Sequence, residues 1–287
     1  MKIQSYSVIV GDRKCNAACP YCISQMTPDN GVLKKEKVNW RNFEIGCKYA
    51  KQSDISTILL TGKGEPTLYP DEITDYLTRL EKYEFPFMEL QTNGLTLENQ
   101  GLNQHMLDWY DKGLTTIALS VAHYDTKKNK KIYTPNGDYL NLTGVIDKLH
   151  DIGFSVRLSC MMMKDYIDTT DKLDALIDFA RENEVEQLTV RNITKPADTT
   201  CKKVANFVEE HKLGQEQIEE MRDYLDFNGT RLMELVHGAI VYDYDDQNVC
   251  LSNCLTIDPK AERLRQLIFF PDGHLRYDWQ YKGAVLI

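Results

Sequence analysis

One alternation runs through the first two thirds of the chain: short apolar runs separated by charged, amphipathic stretches. The runs SYSVIVG (5–11), STILLTG (56–62), FMELQTNG (87–94), TTIALSV (115–121), FSVRLSCMM (154–162) and EQLTVRNI (186–193) read as six strands. Between them, residues 36–52, 71–83, 98–111, 138–151 and 169–183 are charged and amphipathic. They are often bounded by Asp, Asn, Thr or Gly, as helix ends prefer, and read as helices. Strands joined by helical crossovers lie parallel in one sheet. Residues 1–195 are therefore expected to be α/β in class, a partial (β/α)6 barrel of the TIM type. Chemistry in such a barrel gathers at the carboxyl ends of the strands and in the loops after them. Residues 196–287 read as a C-terminal α+β extension that closes the open side and selects substrate. It has helices near 202–211 and 214–226, β-like segments at 238–244 and 264–279, and a hairpin turning at Pro271-Asp272-Gly273-His274.

The loop after the first strand reads KCNAACPYC, three cysteines within eight positions and no fourth nearby. A disulfide uses cysteines in pairs, and the N-terminal MKIQSYSVIV lacks the apolar stretch and cleavage site of a secretory signal, so a cytoplasmic chain with reduced thiols is expected. A structural zinc takes four ligands in a closed tetrahedron, usually as two separated pairs. An iron–sulfur cubane is held by thiolates, and a missing thiolate leaves one iron able to take an outside ligand. A zinc-stabilised, non-enzymatic binding module, its triplet completed by a distant Cys or His, stands as the alternative from another class.

The spacing Cys15-x3-Cys19-x2-Cys22, with Tyr21 before the last cysteine, resembles the radical SAM superfamily. The resemblance covers about residues 5–195 and fades afterwards. It implies that Cys15, Cys19 and Cys22 bind a 4Fe-4S cluster whose fourth iron takes S-adenosylmethionine. An external electron donor such as a flavodoxin or ferredoxin would reduce it, and a 5'-deoxyadenosyl radical would then abstract hydrogen from substrate. In such enzymes the cofactor supplies the chemistry and the protein supplies position. TGKGEPTL resembles the family's Gly-Gly-Glu-Pro loop, which implies cofactor contacts from Gly62, Gly64 and Glu65, here with Lys63 between the glycines. In the same way Tyr21, Asn93 (beside Thr92 in QTNG), Ser120, Ser159 and Arg191 are implied at the cofactor. The run VRLSCMMMKD resembles the branch that holds the molybdenum-cofactor cyclase and the SPASM-twitch peptide-modifying enzymes. Arg157 then falls where a basic residue reaches substrate phosphate, although a strand arginine equally anchors an internal salt bridge. Lys63 and His123 are the other substrate candidates.

Composition narrows the partners. The formal charge of −9 disfavours an extended nucleic-acid surface, and no segment is long enough to cross a membrane. A small molecule, nucleotide-like, is expected ahead of a peptide. Many peptide modifiers of this branch carry a recognition domain before the barrel, and four residues precede the first expected strand here. Cys201, Cys250 and Cys254 are candidates for an auxiliary 4Fe-4S cluster, while Cys47, Cys160 and Met161 to Met163 read as core.

Overall fold

The computed structural model describes residues 3–29, 38–235, 238–252 and 264–287. Six strands, β1 (Ile3–Ile9), β2 (Thr57–Thr61), β3 (Phe87–Thr92), β4 (Thr116–Val121), β5 (Ser155–Met162) and β6 (Gln187–Asn192), pair in parallel and in sequence order. All six fall on the expected runs, with β1 shifted to Ile3–Ile9, so that the cysteine loop begins sooner, and β3 ending at Thr92, two residues short of its run.

The helices in this part are α1 (Ile23–Met26), α2 (Trp40–Gln52), α3 (Pro70–Leu80), α4 (Asn103–Asp111), α5 (Thr126–Tyr133), α6 (Leu142–Ile152) and α7 (Thr170–Glu182). Their local causes are visible in the chain. In α3 a proline opens the first turn, Asp71 and Glu72 face the positive helix end, and Ile73, Tyr76, Leu77 and Leu80 form one buried stripe. In α7 the Thr169 side chain accepts from Lys172 N, ahead of the buried stripe Leu173, Leu176, Ile177 and Ala180.

The two sheet faces differ, and that difference makes the site. Leu60, Leu90, Ile117, Val156, Leu158, Cys160, Leu188 and Val190 are fully buried. Their neighbours one position along, pointing the other way, include Glu89, Gln91, Ser120, Arg157, Ser159, Thr189 and Arg191. Register places these on a common face: Ser120 lies beside Ser159, Ser159 beside Thr189, and Met161 beside Arg191. A closed barrel fills its interior with branched apolar side chains. An inner face of Ser, Thr, Gln and Arg is built instead to line a wet or ligand-filled cavity.

The C-terminal extension contributes α8 (Lys202–His211), α9 (Gln215–Asn228), β7 (Thr230–Glu234), β8 (Ile240–Tyr244), β9 (Gln247–Ser252), β10 (Leu264–Phe269) and β11 (Leu275–Arg276). These strands join the same sheet, whose order is β11-β10-β1-β2-β3-β4-β5-β6-β9-β8-β7. The expected hairpin is present as β10 and β11, antiparallel through Phe269 and Leu275. In addition β10 pairs in parallel with β1, and β9 with β6, so both sides of the partial barrel are lengthened by chain that follows it. Phe269 anchors β10 from the outer face, its ring centroid 5.2 Å from that of Phe43 on α2, which stands 5.1 Å from Tyr76 on α3. On the inner face Ile9, Ile268 and Phe270 form a small apolar cluster with Trp279 packed against it. The sheet is open, ending at β11 and β7.

Candidate active site

The cysteine loop leaves β1 through Gly11 at φ +67°, where a Cβ would stand 2.3 Å from the Tyr69 ring. Loops from the next strands then lace it down. Glu65 N donates to the Lys14 carbonyl at 2.9 Å. A Cβ on Gly64 would lie 2.1 Å from that same carbonyl oxygen, so the close approach of two loops dictates the second glycine. After β3, Asn93 Nδ2 donates to Asn16 Oδ1 at 2.8 Å and lies 3.7 Å from Cys15 Sγ. From the end of α5, Ala18 N donates to the Tyr133 carbonyl at 2.9 Å and Thr134 Oγ1 donates to the Ala18 carbonyl at 3.0 Å.

Cys15 is exposed, and Cys19 and Cys22 are half-buried. Burial pushes the Cys15 and Cys19 thiols up, and the neighbouring thiols of the triplet push them further. Three thiols within reach of each other's charge ionise together when a cation compensates them, as a bound metal does. In a cubane each thiolate takes its own iron, so three donors on one short loop fit a cluster of that kind. Among the described residues no three His, Cys, Asp or Glu side chains converge on a single ion.

Glu65 is the hub of the site. Its Oε1 accepts from Thr67 N at 3.0 Å, Thr67 Oγ1 at 2.7 Å and Thr92 Oγ1 at 2.6 Å, and its Oε2 accepts from Asn93 N at 2.9 Å. Burial raises its pKa, while these four donors pull it down. Glu65 therefore binds the loop after β2 to the loop after β3, and its Oε2 accepts one hydrogen bond among the described residues. Thr67 and Asn16 also belong to this network; they lie inside TGKGEPTL and KCNAACPYC but are not among the residues those stretches single out.

Lys63 is turned inward. Its Nζ donates to Thr27 Oγ1 at 2.5 Å and to the Pro28 carbonyl at 3.0 Å, and it stands 5.7 Å from the Trp279 ring centroid. Burial, with Arg13 adding, lowers its pKa to about 8. Gly62 packs its backbone close to Val10 O and Gly64 O. Tyr21 is buried in the main core beside Tyr133 and Tyr139, and burial drives its pKa up.

On the inner face Arg157 crosses over the small Ala118 to reach Glu89 on β3, Nη2 to Oε1 at 2.5 Å. That guanidinium is an internal salt bridge, one of the two roles open to it from its residue type. Arg191 donates from Nε to Met161 Sδ at 3.1 Å, and burial with the nearby Arg157 cation lowers its pKa. Ser120 and Ser159 stand side by side on the same face, half-buried.

His123 follows β4 and is held rigidly. The fully buried Asn129 of α5 accepts from Ala122 N at 2.9 Å and His123 N at 3.1 Å, and donates to the His123 carbonyl at 2.6 Å. His123 Nδ1 accepts from Asp125 N at 2.9 Å, which leaves the ring proton on Nε2. Burial, then Lys128, lowers the pKa, so the ring is neutral at pH 7. Of the remaining cysteines, Cys47 and Cys160 are buried in the core. Cys201 caps α8, Cys250 sits on β9 beside Thr189, and Cys254 lies outside the described residues.

Known proteins place this arrangement. The Radical SAM superfamily matches residues 9–180, more than half of the chain. The GTP 3',8-cyclase of Aquifex aeolicus is 25% identical over 169 residues, covering 58% of this chain and 49% of its own. That of Rhizobium leguminosarum is 31% identical over 163 residues, covering 56% and 44%. The chain thus spans about half the length of these curated relatives. Among solved structures, Streptococcus suis SuiB bound to the precursor peptide SuiA aligns with TM-score 0.64 at 16% identity, over 97% of this chain and 60% of SuiB. SuiB bound to S-adenosylmethionine gives the same score. That likeness concerns the fold and extends into the C-terminal strands. No helix among the described residues is long and apolar enough to cross a membrane. With its three-cysteine loop at the carboxyl edge of an open parallel sheet, the chain belongs to the radical SAM superfamily.

Proposed function

We propose that this chain is a radical S-adenosylmethionine enzyme acting on a small anionic substrate, nucleotide-like in class. The observation that carries the reading is the cysteine loop, tied by Glu65 and Asn93 to the two loops beside it, at the rim of an inner face lined with Ser120, Ser159 and Arg191.

Cys15, Cys19 and Cys22 would hold the 4Fe-4S cluster. A cluster held there would supply the one-electron reduction that cleaves S-adenosylmethionine. The chain's own residues do the rest. Asn93 fixes the direction of the Cys15 side chain, and Glu65 holds the glycine loop in place and offers an acceptor to the methionine ammonium. Ser120 and Ser159 donate to the polar atoms of the ribose or carboxylate. Arg191, with no carboxylate partner among the described residues, takes a carboxylate or phosphate at the inner face. Lys63 serves the loop before it serves a ligand, and His123 offers a neutral Nε2–H donor at the end of β4. The relatives named GTP 3',8-cyclase support a nucleotide, and the SuiB likeness makes a peptide the rival substrate.

Anaerobic reconstitution with a chemical reductant, S-adenosylmethionine and separate nucleotide and peptide pools tests this. Methionine and 5'-deoxyadenosine, with depletion of a nucleotide, are expected. Depletion of a peptide alone would overturn the substrate class, and absence of 5'-deoxyadenosine from every pool would overturn the activity.

A further inference from the structure

The chain is acidic overall, with a formal charge of −9, yet the elements bonded directly to the cysteine loop are rich in lysine. On one side stands α5, sequence TKKNKKIY, whose Asn129, Ile132 and Tyr133 are buried and whose Lys127, Lys130 and Lys131 are exposed. Those three occupy one helical face by their i, i+3, i+4 spacing. The next position on that face is Thr134, whose hydroxyl donates to the Ala18 carbonyl inside the cysteine loop. On the other side α1, which follows Cys22, packs against α8. There Thr200 N donates to the Met26 carbonyl at 3.0 Å and Thr200 Oγ1 to the Gln25 carbonyl at 2.9 Å, just ahead of the exposed Lys202 and Lys203. Lys14, also exposed, precedes Cys15 within the loop itself.

Some of this charge is spent locally. Lys130 pairs with Asp138, Lys128 bends back to the Asp165 carbonyl, and Arg13 pairs with Asp29. Asp125 caps α5 at its far end. Lys14, Lys127, Lys131, Lys202 and Lys203 make no ion pair among the described residues. A fold stabilised by these lysines would pair them, and a chain of this net charge has no shortage of carboxylates. Their exposure on elements that hydrogen-bond to the cysteine loop and to the helix after it, with Lys14 next to the exposed Cys15, points to something negative that comes close to that loop.

Resting on the activity proposed above, we infer that the lysine rim formed by Lys127 and Lys131 on α5, Lys202 and Lys203 on α8 and Lys14 in the loop is the docking surface for an acidic one-electron carrier protein. The carrier gives up one electron and is oxidised by one electron, and the group held by Cys15, Cys19 and Cys22 is reduced by one. The whole-molecule field repels such a carrier, so a local basic ring both captures it and orients its redox centre toward the loop. Charged rims act mainly on association rate and its salt dependence.

The test uses reconstituted holoenzyme, a flavodoxin as the acidic carrier, and dithionite as a small reductant that needs no docking. In a K127E/K131E variant, the flavodoxin concentration for half-maximal 5'-deoxyadenosine formation should rise about tenfold, and its steep dependence on ionic strength should flatten. Direct binding of oxidised flavodoxin, followed by its flavin fluorescence polarisation, should weaken by the same factor. Rates driven by dithionite should be unchanged. Equal flavodoxin dependence and equal affinity in variant and wild type would overturn the docking surface. A K202E/K203E variant checks the second flank by the same readouts, and control reversals at Lys212 and Lys82, away from the loop, should leave them unaltered. Failure of wild type to cleave S-adenosylmethionine even with dithionite would instead strike the activity itself, while the binding measurement still decides the surface.

Discussion

At the scale of single residues, the site is held by side chains whose partners lie far along the chain. Glu65 meets Thr92 and Asn93, 27 and 28 residues away, and binds one loop to the next. Glu65→Gln substitutes an amide donor for one oxygen that faces only donors. The variant should lose about 2–3 kcal/mol of stability, read from urea unfolding of the apo chain. Arg157 and Glu89 offer a sharper division. Arg157→Met strands a mostly buried carboxylate and should cost about 3 kcal/mol, and adding Glu89→Gln should recover most of it. If the double variant is stable but binds nucleotide more weakly, Arg157 also contacts substrate, and unchanged affinity confines it to the salt bridge. His123 carries a pH signature. Its folded pKa lies below the unfolded value near 6.5, so the unfolded chain binds the proton first as pH falls. Its contribution is therefore present above about pH 6.5 and is lost as pH falls through the folded pKa. His123→Asn keeps an acceptor for Asp125 N, and its stability should fall less between pH 7 and 5 than that of wild type. Glu65, Asn93, Arg157 and His123 are legible from motif and position in the sequence, and Glu89, the partner of Arg157, is not. The inward turn of Lys63 toward Thr27 and Pro28, and the salt bridge of Arg157, were not decidable, because residue type states what a group is able to bond and the fold decides what it meets.

At the scale of elements, alternating apolar and amphipathic runs carried all six parallel strands, since each strand buries its helix-facing side against a neighbouring stripe. The helix α5 lay below that signal. It is eight residues long and carries four lysines, with Asn129, Ile132 and Tyr133 its only buried positions. Its anchor is polar: Asn129 satisfies two amides and a carbonyl at the end of β4. Asn129→Ala should cost about 3 kcal/mol and loosen α5 from the cysteine loop, seen as faster hydrogen exchange at Ala18 and Thr134. Unaltered exchange at those amides would show that α5 is held by other contacts. The strands β7 and β9 were also missed. β7 is exposed along its whole length, so no buried face patterns its sequence.

At the scale of the whole molecule, the last third of the chain lengthens the sheet at both sides. β10 lies against β1 although Leu264 and Ile3 are separated by nearly the full sequence, and the aromatic contact of Phe269 with Phe43 fixes it there. Pairing across that separation leaves no local trace, whereas the barrel units leave one each. The result is an inner face with two characters. Ile9, Ile268, Phe270 and Trp279 make one part of it apolar, and Ser120, Ser159, Thr189 and Arg191 make another part polar. The cysteine loop sits at its rim, laced to the loops after β2 and β3 and to α5. All of the proposed chemistry depends on that loop presenting three thiolates and leaving a metal position open. Electron paramagnetic resonance of the anaerobically reconstituted, dithionite-reduced protein, with and without S-adenosylmethionine, tests this most directly. The account predicts about four irons per chain, a reduced-cluster signal that changes when S-adenosylmethionine is added, and loss of that signal in Cys15→Ala, Cys19→Ala or Cys22→Ala. A signal indifferent to S-adenosylmethionine, or one that survives removal of any of the three cysteines, would contradict it.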